Sequence, residues 1–276
     1  YYNMRKVFYS LAGIAFAGTL MSCSGGMKVA KMEVSPSLGA AENVTVDVPV
    51  DKGYYVLFDG TSLKGWRGYA KSYMPDCWKI EDGCLKFSRS NGREGGDVIF
   101  AHKFRNFELE MEWKIAKGGN SGIFYLAQEF YTIGNDGKMN VEPIFISAPE
   151  YQVLDNENHP DAKLGKDNNR KAASLYDMIP AKPQNANPYG EWNKAKIVVK
   201  DGVVSHYQND VKVLEYRLWT KEWTDLLQES KFSEKAWPQA FILLNDCGGV
   251  LHSGYIGLQD HGDDVWYRNI RVKVLD

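Results

Sequence analysis

The chain is short of the features that mark several common functional classes. It has four cysteines in 276 residues, too few for a disulfide-built scaffold. Charge of one sign is also lacking: 33 lysines and arginines stand against 35 acids, for a net charge of -2. That balance supplies no basic field for a phosphate backbone, so nucleic acid is excluded as an expected partner. No internal repeat of about twenty to fifty residues is visible, which argues against propellers and solenoids. The Gly-x-Ser-x-Gly elbow, the phosphate loop, the dinucleotide fingerprint and the His-Glu-x-x-His helix are all missing.

What is plentiful is aromatic and turn-forming residues: 16 Tyr, 12 Phe and 8 Trp beside 26 Gly. That mixture favours strands joined by tight turns. Phe107 to Ile115 alternates apolar and charged residues without a break, the pattern of a half-buried strand. Segments 150–154, 194–200, 203–208, 255–259 and 266–274 are further strand candidates, and together they predict an antiparallel sandwich or barrel. Trp219, Trp223, Leu226 and Leu227 have helical spacing, which predicts one helix from 219 to about 230. Segments 127–149 and 156–190 lack periodicity and are expected as long rim loops of a site.

The N-terminus reads as an address. Met4-Arg5-Lys6 precedes a mostly apolar run, Val7 to Met21, too short to span a bilayer as a settled helix. The three residues before Met4 read as an upstream extension. Leu20-Met21-Ser22-Cys23 looks like a lipobox. Residues 1–22 are therefore expected as a lipoprotein signal peptide and Cys23 as the lipidated residue, with 23–51 a flexible tether and 52–276 the folded domain. The protein is expected to be lipid-anchored in a bacterial envelope, on the periplasmic or surface side of the outer membrane. Among the other cysteines, a hairpin turn at Asp82-Gly83 would set Cys77 and Cys84 about 13 Å apart, too far for a bridge. Cys247 is left as an alternative partner for either.

Strand parity sorts the candidate functional residues. In the strand from Phe107 the apolar set points inward, so Glu108, Glu110 and Glu112 share the opposite face, as solvent decoration or as one wall of a cleft. In 150–154, Tyr151 and Val153 go inward and leave Glu150 and Gln152 outside. In 256–261, Gln259 and His261 are left outside as a pair. Carboxyl plus imidazole is suitable acid/base equipment, and glutamine amides suit sugar hydroxyls. His159 and Asp161 lie in an acidic loop able to hold a divalent cation, without a spacing that dictates geometry.

Several stretches, in order, resemble the 3-keto-disaccharide hydrolase family. They are Gly53 to Trp66, Trp78 to Gly83, Gly119 to Phe124, Glu150 to Asn156, Gly190 to Asn193, Ile256 to Gly262 and Arg268 to Arg271. The resemblance implies an all-β, concanavalin-like jelly roll that cleaves 3-keto-glycosides or 3-keto-disaccharides. Either C2 deprotonation and elimination or direct hydrolysis by paired carboxylates would serve. It implies Glu150, His261 and Glu112 as catalytic residues and Asn120, Gln152, Gln259 and Trp192 as substrate contacts, while Tyr176 and Trp66, from the aromatic set, are expected as plates for a sugar face. No cofactor is required by it, a divalent metal being optional, and a sugar 3-oxidoreductase is implied upstream. Leu126 stands where the family often has arginine, and 127–149 looks longer than usual. A non-catalytic carbohydrate-binding envelope lipoprotein is the alternative reading of the same residues.

Overall fold

The computed structural model describes residues 28–92 and 94–275. The expected signal peptide and the Cys23 lipidation site lie outside the described residues. In chain order the first strands are β1 (Lys28–Val34), β2 (Val44–Asp51), β3 (Tyr54–Phe58), β4 (Trp66–Gly68), β5 (Trp78–Glu81), β6 (Cys84–Phe87), β7 (Val98–Phe104), β8 (Phe107–Ile115) and β9 (Asn120–Ala127). They are followed by β10 (Tyr131–Ile133), β11 (Met139–Val141), β12 (Glu150–Leu154), β13 (Asn193–Lys200), β14 (Val203–Gln208) and β15 (Val211–Arg217). Helices α1 (Lys221–Gln228) and α2 (Pro238–Asn245) precede β16 (Gly254–Leu258) and β17 (Val265–Val274).

Two antiparallel sheets make the sandwich. The larger runs β1-β2-β3-β17-β8-β13-β14-β15, with the β5-β6 hairpin attached to β17. The smaller runs β12-β9-β16-β7-β4. This is the jelly roll that the resemblance implied. Strand β8 buries Phe107, Leu109, Met111, Trp113 and Ile115 and leaves the residues between them half-buried, as its alternation predicts. From the smaller sheet, Ile123, Tyr125, Tyr151 and Val153 fill the same core. One polar relay crosses it: the Tyr125 hydroxyl lies 2.7 Å from His206 Nε2 and 2.6 Å from the Tyr216 hydroxyl. Burial lowers the His206 pKa to about 4, so the imidazole stays neutral there.

The β5-β6 hairpin has the predicted register, Ile80 opposite Leu85 and Glu81 opposite Cys84. Positive φ at both Asp82 and Gly83 is the primed-turn geometry a two-residue hairpin needs. Cys77, Cys84 and Cys247 are all buried and free.

Three expectations are corrected. From residue 28 onward the tether is a pair of strands, β1 and β2, joined in register to the larger sheet. Ala30, Met32 and Val34 are buried, and so is Val48, so the domain begins at least as early as 28. Among the described residues the single expected helix is two, because α2 is apolar almost all round and gives no amphipathic signal. Trp66, expected against substrate, is a core residue: its Nε1 donates to the Leu57 carbonyl at 2.8 Å, and its ring meets Phe100 edge-on.

Candidate active site

The smaller sheet has one face on the core, so alternate residues of its strands share the other face. The registers set these out as a grid. Glu150 stands opposite Phe124 and Gln152 opposite Gly122. Phe124 stands in turn opposite Gly257, and Gly257 opposite Ile99. The Gln259 amide donates to the Gly122 carbonyl at 3.0 Å, which brings Gln259 into the Gly122 row.

Half of this face is closed and half is polar. Segment 127–149, expected as a rim, folds over one half, where Ile144 and Ala148 pack with Tyr69, Ile99, Phe124, Ala127 and Tyr255. Arg67 and Glu129 seal its edge through a two-pronged ion pair at 2.6 and 2.8 Å. The other half carries Asp97, Asn120, Gly122, Glu150, Gln152, Gln259 and His261. Segment 156–190 walls it: Arg170 binds Asp161 at 2.8 Å and Asp177 at 2.6 Å, and the Tyr176 hydroxyl donates to Asp161 at 2.8 Å.

Glu150 is buried, and its carboxyl makes no hydrogen bond or ion pair among the described residues. It lies over Gly122, where a β-carbon would come within 2.3 Å of Oε1. Burial pushes its pKa up to about 8; the Lys231 ammonium opposes this, while the charges of Asp97 and Asp161 add to it. At neutral pH the group is therefore mainly the protonated acid. Burial lowers the Lys231 pKa in turn, and the ammonium sits 4.3 Å from the Tyr176 ring centre. Asp97 Oδ1 accepts the Asp260 amide at 2.8 Å. Burial lifts its pKa to about 7 against that hydrogen bond.

Three amide side chains complete the surface. Gln152 donates to the Arg170 carbonyl at 3.3 Å, and Asn120 Nδ2 lies 3.4 Å from His261 Nε2. The carbonyl oxygens of Asn120, Gln152 and Gln259 are buried without a partner among the described residues. A buried acceptor left unpaired costs about 1–3 kcal/mol, and three on one face are acceptors suited to the hydroxyls of a polar ligand.

The structure thus gathers Asn120, Glu150, Gln152, Gln259 and His261 on one face, with Tyr176 on its wall. Glu112 is elsewhere. It lies on the outer face of the larger sheet, held by Arg268 at 2.8 Å and Asn269 at 3.0 Å. It borders a 690 Å³ groove with Glu110, Lys194, Lys196 and Arg271. Parity says only that Glu112 points away from the core, and a sandwich has two such faces. Trp192 is on that same side, under the Arg268 guanidinium at 3.9 Å. Leu126 is buried at positive φ, so its side chain reaches no ligand. His159 does come beside His261, with ring centres 6.0 Å apart, but Asp161 is taken up by Arg170 and Tyr176. Asp97 and Lys231 carry no signal in the sequence, whereas Asp263 lies in the stretch Asp260 to Asp264, an acidic loop with a histidine like the one around His159.

Residues 53–273 match the family model described as the 3-keto-alpha-glucoside-1,2-lyase-like domain. The chain is 64% identical to a protein of Bacteroides thetaiotaomicron named 3-keto-disaccharide hydrolase, covering 99% of this chain and 100% of that one. A crystal structure of a candidate glycosyl hydrolase from Parabacteroides distasonis superposes with TM-score 0.65 at 29% identity, covering 81% of this chain and 95% of that one. A second from the same organism gives TM-score 0.57 at 25% identity, over 80% and 99%.

Proposed function

The chain belongs to the family of 3-keto-alpha-glucoside-1,2-lyase-like domains, and from that premise we propose that it cleaves glycosides bearing a ketone at C3, with Glu150 as the proton donor. The observation that carries this reading is the buried Glu150 carboxyl over Gly122, on a face that also carries three amides whose oxygens have no partner among the described residues. A C3 ketone acidifies the proton on C2, next to the glycosidic carbon. A base takes that proton, the C1–O bond breaks, and Glu150 protonates the departing alcohol oxygen. The sugar is left with a C1–C2 double bond conjugated to the ketone. Water then adds across it, hydroxyl to C1 and proton to C2, for net hydrolysis.

In an α-glucoside the C2 hydrogen and the C1 oxygen are axial on opposite ring faces, so base and acid must flank the ring. We assign the base to Asp97. Its Oδ1 is anchored by the Asp260 amide, and with a pKa lifted to about 7 it is substantially ionised at neutral pH. Burial lifts both carboxyls toward neutrality, the range in which one can serve as acid and the other as base. Lys231 supports the step by stabilising the Glu150 carboxylate as it forms. The amides of Asn120, Gln152 and Gln259 hold the sugar's hydroxyls.

The ketone must be installed by a sugar 3-oxidoreductase acting upstream. Cys23 and the run before it support a lipid-anchored envelope location, which globomycin-sensitive processing and a Cys23→Ser variant would test. The activity is tested by supplying 3-keto-glycosides and their unoxidised counterparts. Glu150→Gln and Asp97→Asn should each lower kcat on the keto substrate by about 10²–10⁴-fold. Full turnover by Glu150→Gln, or equal cleavage of unoxidised sugars, would overturn the reading.

A further inference from the structure

The tight turn 175–179 ties the wall of the site to the proton donor. Leu175 pairs across it with Ile179 and also with Tyr151 of β12, so Tyr176 and Asp177 stand at its tip beside Glu150. The Tyr176 backbone amide donates to the Glu150 carbonyl at 3.1 Å. The next residue, Asp177, has φ +61°, a left-handed conformation that Asp and Asn adopt more readily than most residues. Its carboxylate is buried and takes one donor on each oxygen: Arg170 Nε on Oδ1 at 2.6 Å and the Lys231 backbone amide on Oδ2 at 2.9 Å.

The Lys231 side chain has no such anchor. Its ammonium makes no ion pair among the described residues and rests among three rings, 4.3 Å from the centre of Tyr176, 5.0 Å from Phe232 and 5.7 Å from Phe145. A flexible stem with no carboxylate at its tip goes where its backbone is placed, and Asp177 ties that backbone to the wall. Arg170 closes the circuit: it also binds Asp161 at 2.8 Å, Asp161 accepts the Tyr176 hydroxyl at 2.8 Å, and the guanidinium lies 5.4 Å from the Tyr176 ring centre. From this circuit we infer that Asp177 is a positioning residue, which keeps the Lys231 ammonium beside the Glu150 carboxyl.

The inference rests on the reading of Glu150 as proton donor. Asp177 acts on that donor through Lys231, whose charge favours the carboxylate left when the proton departs. The other groups facing this pair are Asp161, Arg170 and Tyr176 on the wall and Asp97 on the polar face, while Tyr125 and Tyr267 sense the Glu150 charge from the core. All of them remain in an Asp177→Asn protein. Asparagine suits the same backbone but offers one acceptor to two donors, so either Arg170 or the Lys231 amide is released.

The test compares wild type, Asp177→Asn, Lys231→Met and the double variant. Their kcat and KM on a 3-keto-glucoside are followed across pH, and the Glu150 carboxyl is titrated without substrate by ¹³C NMR of glutamate-labelled protein, its signal assigned with Glu150→Gln. Asp177→Asn should lower kcat several-fold with KM within about twofold, and move both the alkaline limb and the substrate-free midpoint upward by about half a pH unit. The double variant should move them no further than Lys231→Met does, since both substitutions act through one ammonium. Arg170→Gln, which frees the same carboxylate from its other side, is an independent second variant with the same expectation. Lys166→Met removes only the exposed ion pair to Glu229 at 4.0 Å and should leave limb and midpoint in place. An unmoved midpoint in folded Asp177→Asn, or shifts that add in the double variant, would overturn the inference. Failure of the wild type to cleave any keto-glycoside would instead overturn the reading it rests on, and the substrate-free midpoints would still decide the positioning.

Discussion

A β-carbon placed on Gly122 would lie 2.3 Å from Oε1 of Glu150, so the bare glycine on β9 is what gives the carboxyl on β12 its position. Gly122→Ala should therefore displace the acid without strain in the backbone, since its φ is not in the left-handed region. We expect kcat/KM on a keto-glycoside to fall by about 10²-fold, the scale of a misplaced catalytic group. Melting should change little. Unimpaired turnover by a folded Gly122→Ala protein would show that the carboxyl does not work from this place.

Glu150 also makes stability depend on pH. Its pKa is about 8 in the folded protein against an ordinary 4.5, so between those values the native state holds a proton that the unfolded chain releases. The associated stability is complete below about 4.5 and is lost as pH rises through 8. Asp97, with a folded value near 7, acts with the same sign. Glu150→Gln removes the Glu150 contribution. Its melting temperature should stay near the wild type at pH 5 and exceed it at pH 9 by roughly 8–16 °C, on the order of 4 kcal/mol. Parallel melting curves for the two proteins across pH 5–9 would contradict the raised pKa.

Lys231 tunes the same acid, because its charge holds the Glu150 pKa below where burial alone would set it. Lys231→Met should carry the alkaline limb of the kcat profile upward by about half a pH unit or more. A merely structural lysine would lower melting and leave that limb where it was.

On the far side of the molecule, Glu112 and Trp192 are held by Arg268. Glu112→Gln and Trp192→Ala should alter kcat/KM by less than about threefold, since neither reaches the sugar-facing surface. The melting cost should be about 1 kcal/mol, the scale of a partly exposed charged contact. A loss of 10²-fold in Glu112→Gln would restore that residue to the mechanism.

How much of this was legible in the sequence follows from the range of each interaction. The burial pattern of β8, the Asp82-Gly83 hairpin and the outward parity of Glu150, Gln152, Gln259 and His261 are local, and periodicity reveals them. Which sheet a strand joins is not local, and this is why Glu112 falls on the wrong face. The β1-β2 pair does alternate, as in Ala30-Lys31-Met32-Glu33-Val34, but the Ser35-Pro36-Ser37 and Gly39 punctuation between its strands reads as linker and masks two short runs. Asp97 and Lys231 carry no motif; they acquire a role only when chain more than fifty residues away in sequence folds over them. Their perturbation arises from burial, which exists only after folding.

The most direct test places deuterium at C2 of a 3-keto-α-glucoside and follows it during turnover by the wild-type enzyme. Elimination through Asp97 and Glu150 predicts a slower first step and loss of the label to solvent in the released sugar. Full-rate cleavage with the deuterium retained at C2 would contradict the account.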